Sequence, residues 1–157
     1  PKDRAAAKRE ARAARDAAWK RQNEAMVTGE EKYLPSREKG PIKRYIRDFV
    51  DARFNLGEYF MPLIFVLLII SFGFSRILPH YPLISFYTVL AMNGYLLLAI
   101  ADAVWCWVRL RRRLNEKFGA ERVKNEGSIF FYIMSRCFML RRWRRPAALV
   151  SRGQYPS

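Results

Sequence analysis

Histidine is nearly absent from this chain: its 157 residues hold one, His80. No His-Glu-x-x-His helix, nucleophile elbow, phosphate-cradling Gly loop or cluster at metal-ligand spacing occurs in it. Acid–base, nucleophilic and metal chemistry therefore have no recognisable constellation to start from, and the expectation is a protein that is not an enzyme and carries no cofactor. His80 reads better as a turn-capping or headgroup histidine than as a lone haem ligand. Cysteine is almost as scarce. Cys106 and Cys137 lie 31 positions apart with no Cys-x-x-Cys partner, which excludes a disulfide framework. Cys106 is expected to be a small apolar packing residue rather than a palmitoylation site. The chain begins Pro-Lys-Asp-Arg with no apolar stretch, so no cleavable signal peptide is expected. Charge is missing from one long region: between Tyr59 and Val108 only Arg76 and Asp102 are charged at neutral pH.

That uncharged region is two apolar runs set back to back. At about 1.5 Å per residue, a helix over 58–78 reaches about 31 Å and one over 82–108 about 40 Å, against a hydrocarbon layer of about 30 Å. A soluble protein could bury such a pair only by wrapping it in other apolar elements, and the remainder offers short amphipathic ones. The expected fold class is an all-α membrane protein: a two-helix transmembrane hairpin, a cytoplasmic N-terminal helix and two amphipathic interfacial helices. Pro79 and Pro82 stop one span before the next begins, leaving 79–81 as the outer turn.

The charge distribution orients the hairpin. Residues 1–58 hold 15 Lys and Arg against 10 Asp and Glu, and residues 109–157 hold 13 against 3. The positive-inside rule then places both ends in the cytoplasm of a multi-pass inner-membrane protein. Tyr59, Phe60, Trp105 and Trp107 are expected at the inner interface and Tyr81 with Phe86 or Tyr87 at the outer one. A net charge of +15 invites a nucleic-acid reading. Anionic phospholipid accounts for much of it, since juxtamembrane bases are attracted at about 1 kcal/mol each. Arg109, Arg111, Arg112 and Arg113 follow the second span directly and read as a stop-transfer signal contacting headgroups.

Residues 1–28 are rich in Ala, Arg, Lys and Glu, with no Gly and no Pro beyond Pro1, and predict a helix that is polar nearly all round. Trp19 is its one aromatic and its expected partner contact. After a linker over 29–41, residues 42–57 carry Ile42, Tyr45, Ile46, Phe49 and Val50 on one side and Lys43, Arg44 and Arg47 opposite. That pattern predicts a helix lying on the inner leaflet, although a partner subunit would use the same stripe. A bend is expected near Asn55–Glu58, where Gly57 relaxes the backbone. Residues 109–126 read as a basic linker, of which 114–126 form a short helical extension or linker broken at Gly119. Residues 127–145 predict a second interfacial helix, with Trp143 at headgroup depth and Arg141, Arg142, Arg144 and Arg145 on phosphates. Residues 146–157 form a tail.

Asp102 is the one acid inside a span. Such acids are costly and are functional candidates by default. Pairing with Arg109, two turns below, is favoured over proton relay or ion binding, which would need partners the chain does not supply. Asn93 and Gly94, in mid-span, mark a helix–helix contact, Gly permitting close approach and Asn seeking a hydrogen bond.

Residues 29–62 contain Tyr33-Leu-Pro35, Gly40-Pro41, Arg47-Asp-Phe-Val-Asp-Ala-Arg53 and Gly57-Glu-Tyr-Phe-Met-Pro62. The later Phe131-Tyr132, Arg136 and Leu140-Arg141-Arg142 complete a pattern. Over residues 29–152 the chain resembles an uncharacterised family, a domain of unknown function, of small actinobacterial two-span membrane proteins. It departs from that pattern at Glu38-Lys39 and at Ala147-Ala148. The resemblance implies compartment and architecture and leaves activity open. It directs the expectation to a non-catalytic accessory subunit of a larger integral-membrane complex, with the cytochrome bcc–aa3 respiratory supercomplex the first partner to examine. The alternative is a membrane-tethered nucleic-acid, ribosome- or insertase-binding protein. It would use residues 2–21 and Arg141–Arg145, but Asp3, Glu10 and Asp16 among the bases argue against it, and no nucleic-acid partner is expected.

Overall fold

A computed structural model of the chain describes residues 2–77 and 82–157. The turn expected over 79–81, with His80 and Tyr81, lies outside the described residues. Within them the protein is all-helical, with no strand. Six helices run in order: α1 (Lys2–Thr28), α2 (Pro41–Ala52), α3 (Phe60–Ile77), α4 (Pro82–Phe118), α5 (Ala120–Asn125) and α6 (Ile129–Phe138).

α1 forms because its residues are strong helix formers, and it stops where Gly29 takes a left-handed φ of 81° and returns its N–H to the Ala25 carbonyl. Its last turn is pinned from the far end of the chain: the Ala147 N–H donates to the Met26 carbonyl at 3.0 Å, and Leu149 packs over Gly29. Residues 3–24 are exposed throughout. Pro41 opens α2 at its first position, where a missing N–H leaves no bond unmade.

α3 and α4 pack against each other. Both are long and apolar enough to cross a membrane, over Leu56–Phe74 and Leu83–Phe118. Only 11% and 6% of their most apolar windows are buried by the rest of the chain, which is the reverse of a soluble core helix. α4 does not end with its apolar run. It has 37 residues, and at about 1.5 Å each these reach roughly 55 Å, well beyond a bilayer core. The basic linker expected over 109–126 is therefore helix as far as Phe118, broken at Gly119 (φ 86°) and resumed as α5.

Beside the lower half of α4 the remaining elements close into a head. Ile42, Ile46, Phe49 and Val50 of α2, Ala103, Cys106, Leu110 and Leu114 of α4, and Ile129, Ile133 and Cys137 of α6 form one buried cluster. Each fully buried aliphatic or aromatic side chain contributes about 1.5–3 kcal/mol. This corrects the expectation for both amphipathic helices. Their apolar stripes face each other and α4, not a leaflet. The second is also shorter than expected: α6 ends at Phe138, and Arg141–Trp143 make a separate single turn within a strap that wraps the end of α2. Along that strap Arg141 donates to the carbonyls of Asp51 and Val150, and the Gly153 N–H donates to the Ala52 carbonyl at 2.7 Å.

Candidate functional site

Two charged assemblies join the head to the base of α3 and α4. The first is a buried ion-pair network. Asp51, in the last turn of α2, accepts from Arg136 Nε at 3.1 Å and Nη2 at 2.6 Å, and from Arg144 Nη1 at 2.7 Å. Glu58, in the turn Leu56–Tyr59 that leads into α3, accepts from Arg144 Nη2, from Arg152 Nη2 at 2.9 Å and from Asn55 Nδ2 at 3.2 Å. The Asp51, Glu58 and Arg144 side chains are at most 2% exposed and Arg136 is 5% exposed. At that depth guanidinium and carboxylate are tolerable only together. Arg144 bridges the two acids and so ties α2, the entry to α3 and the strap into one unit.

The second assembly lies level with the start of α3. Asp102 accepts from Arg53, at the end of α2, and from the Leu56 N–H at 3.3 Å. Tyr95 donates to the Leu56 carbonyl at 2.6 Å and stacks on Phe60 with ring centroids 6.4 Å apart. Asp102 thus pairs with Arg53 and not with Arg109, because α2 places Arg53 beside it. Arg109 instead lies 5.6 Å from the Trp105 ring centroid. Replacing Asp102 with Asn is expected to cost about 1–2 kcal/mol, since it removes the charge from one well-buried hydrogen-bonded pair. A head-unfolding midpoint unmoved by Asp102→Asn would contradict the anchoring role.

Beside this pair is a cavity of about 290 Å³. Arg53, Arg109 and Arg113 line it together with Phe49, Trp105 and Tyr155, and Cys106 also contributes. A separate apolar groove of about 390 Å³ runs between Met61 and Phe65 of α3 and Phe138, Leu140 and Trp143 of the strap region.

The other residues singled out from the sequence are scattered. Trp143, Arg142 and Arg145 are exposed, as are Arg109, Arg111 and Arg112, while Arg113 and Arg141 are half-buried. Arg144, expected on lipid phosphates, is instead sealed between Asp51 and Glu58. Lys43 and Arg47, expected with Arg44 at the lipid-headgroup interface, are buried: Lys43 Nζ lies 4.7 Å from the Tyr132 ring centroid and Arg47 donates to the Glu38 carbonyl. Both are covered by the chain that precedes α2 and by α6. Arg44 alone of that trio is exposed, 3.4 Å from Glu31. Trp19 is 65% exposed, and Asn93 and Gly94 are exposed, the Asn93 amide donating to the Val89 carbonyl of its own helix. Cys106 and Cys137, distant in sequence, are brought together in the core, and that contact with burial pushes the Cys137 thiol up. Among the described residues no group of three His, Cys, Asp or Glu side chains is placed to hold a metal.

In the sequence Tyr132 stands out only through the Phe131-Tyr132 pair of the family pattern. Its hydroxyl donates to Glu38 Oε2 at 2.6 Å, and burial followed by the bond to this carboxylate pushes its pKa up to about 12. The folded pKa is raised, so the contribution to stability is complete below the ordinary tyrosine pKa of about 10 and is lost as pH rises through about 12. Ultraviolet titration should show one tyrosine ionising late, and Tyr132→Phe should remove that step and destabilise the head by about 1 kcal/mol. Ordinary titration of every tyrosine would contradict this.

The fold and these sites define a class: an all-helical protein with two helices able to cross a membrane, standing on an ion-paired head. The chain belongs to the family described as "Protein of unknown function (DUF3043)", which matches residues 1–154. It is 34% identical over 146 residues to an uncharacterised protein of Mycobacterium tuberculosis strain H37Rv, covering 93% of this chain and 58% of that protein. It is 35% identical over 153 residues to an uncharacterised protein of Mycobacterium leprae strain TN, covering 98% of this chain and 63% of that protein. The chain therefore spans less than two thirds of the length of these curated relatives. No solved structure matches it.

Proposed function

We propose that the protein is a non-catalytic, membrane-spanning accessory subunit or stabilising factor of a larger integral-membrane complex, with the head and both ends in the cytoplasm of a multi-pass inner-membrane protein. The observation that carries this reading is the contrast between its two halves. The head buries its own apolar stripes and pairs its buried carboxylates Asp51 and Glu58 with its own arginines. The helix pair above it leaves nearly all of its apolar surface uncovered. In lipid, association between helices depends on close packing and hydrogen bonding, and one pair supplies little of either. Here Asn93 bonds within its own helix and Gly94 has nothing within 4 Å of where a Cβ would stand. Both are therefore free to meet a helix of another protein, as is Trp19 on the exposed arm. Exposed Arg109, Arg111, Arg112, Arg142 and Arg145 would hold the assembly against anionic phospholipid. The cytochrome bcc–aa3 supercomplex is the first partner to test, on the actinobacterial lineage of the family's relatives.

The experiment is a mild-detergent pull-down of the tagged protein, read by mass spectrometry and a haem absorbance spectrum. Larger integral-membrane subunits in constant ratio are the expected result, and bands of haem a and b would name the respiratory complex. Protein recovered alone, or with ribosomal proteins only, would overturn the accessory-subunit reading.

A further inference from the structure

The geometry points to a phosphate-binding site in the cavity formed by Arg53, Arg109 and Arg113 between the end of α2 and the lower half of α4. Three guanidinium groups converge there from two helices: Arg53 from the end of α2, Arg109 and Arg113 from successive turns of α4. One carboxylate, that of Asp102, answers them, and it is engaged by Arg53. Among the described residues no carboxylate lies within salt-bridge range of Arg109 or Arg113 (the ion pairs of α4 in this region belong to Asp102 and to Arg112 with Glu116, 3.2 Å apart). Two positive charges are left facing one cavity of about 290 Å³. Like charges gathered in a partly enclosed cavity are unfavourable unless an anion joins them.

Aromatic rings hold the guanidiniums in place. Arg53 and Arg109 lie 5.7 and 5.6 Å from the same Trp105 ring centroid, and Arg113 lies 5.3 Å from that of Phe49. Phe49 is itself packed against Tyr155, with centroids 5.4 Å apart. A stacked guanidinium keeps its N–H fork free for an oxyanion, and the planar fork matches the oxygens of phosphate. The arrangement is unlike that of Arg111 and Arg112 on the neighbouring faces of α4, where Arg111 lies 5.5 Å from Trp107 and Arg112 is already paired with Glu116. The cavity lies where the apolar run of α4 gives way at Val108 to Arg109 and Arg113, the depth at which a glycerophospholipid would carry its phosphate if that helix crosses a bilayer. The lipid source therefore rests on the membrane reading, whereas phosphate binding itself does not.

The test uses the full chain in an uncharged detergent, with native mass spectrometry reading retained lipid. Phosphatidylglycerol and phosphatidylcholine are added in parallel, and inorganic phosphate is titrated separately. The expected result is retention of phosphatidylglycerol that falls at least about tenfold in Arg109→Gln/Arg113→Gln and is kept in Arg122→Gln/Lys124→Gln, which removes two exposed bases of α5 and has the same net charge. Inorganic phosphate bound by the native chain and lost in Arg109→Gln/Arg113→Gln, without a preference for phosphatidylglycerol, would assign the same site to a soluble phosphate. Arg113→Gln alone, with a thermal melt matching the native chain, separates lost binding from lost fold. Equal losses in the two double variants would reduce the cavity to a general basic surface and overturn the site. So would the absence of both lipid preference and phosphate binding. Neither result bears on the pull-down, which reads protein partners.

Discussion

Asp51→Asn is expected to unfold the head under conditions where the native chain is stable, with a loss of about 3–5 kcal/mol. The substitution keeps the shape and removes one charge. The amide oxygen can still accept from Arg136 Nε and Arg144 Nη1, but without a charge. Arg136 Nη2 would keep only its 3.0 Å bond to the Pro146 carbonyl, and Arg144 would share Glu58 with Arg152. Both guanidiniums would stay buried, and the new amide NH₂ would face them as a donor. Truncating one partner of a buried pair is far more damaging than removing the pair, because the surviving charge has no water to return to. Urea unfolding followed by tryptophan fluorescence measures the effect. Glu31→Gln, which removes an exposed carboxylate, should change stability by no more than about 0.5 kcal/mol. Asp51→Asn with an unchanged midpoint would show that the network does not hold the head together.

Gly57→Ala is the second large effect. A Cβ at Gly57 would stand 2.8 Å from the Cys137 carbonyl oxygen and 3.1 Å from the Phe138 Cα. Both atoms are backbone at the end of α6, so no side chain can swing aside. Either the turn into α3 or the end of α6 must move, and each carries part of the ion-pair network. Overpacking of this kind costs about 1–3 kcal/mol, and the backbone contact puts Gly57 near the top of that range. Gly94→Ala is the matched comparison. It lies within α4 with nothing within 4 Å, so it should be neutral or stabilising by up to about 1 kcal/mol in the isolated protein. Equal effects at the two glycines would contradict the close approach. The expectation that Gly57 serves to relax a bend is thereby replaced by a packing reason.

The helix pair was the most legible part of the chain. Hydropathy and Pro82 located α3 and the start of α4 to within about two residues, the ordinary uncertainty of a helix end. The lower end of α4 was only loosely legible, with the span ending at Val108 and residues 114–126 open between helical extension and linker, for a physical reason. A fall in hydropathy marks a change of surroundings, whereas a helix ends only where backbone bonding fails, and from Arg109 to Phe118 no Gly or Pro interrupts it. The stripes on α2 and α6 were read correctly as stripes. Periodicity reports that a face is covered and says nothing about what covers it. Each helix alone looked like a leaflet-bound element, while together with Cys106, Leu110 and Leu114 they complete a core.

The charged sites were the least legible. Asp51 and Arg136 are 85 positions apart and Arg144 and Glu58 are 86 apart, so no local spacing joins them. A faint signal was present. Asp51 follows Val50 directly near the end of a helix whose other acid, Asp48, has Arg44 one turn before it, and Glu58 stands at the threshold of an apolar run. An acid in either place needs a base to meet it. The two blocks carrying the family resemblance, Arg47–Arg53 with Gly57–Pro62 and Phe131–Arg142, meet each other across this network. Tyr132 and Glu38 were hidden in the same way, 94 positions apart.

The most direct test of the account is the sidedness of the chain in native membranes. Single cysteines at Ser36, Tyr81 and Ser151, in a background with Cys106 and Cys137 changed to Ala, would be labelled in intact and in opened cells with a membrane-impermeant maleimide. The account predicts that position 81 is labelled from outside, and that positions 36 and 151 react only after the membrane is opened. Labelling of all three from one side, or release of the protein by alkaline carbonate, would show that α3 and α4 do not cross the membrane and would remove the basis for a membrane accessory subunit.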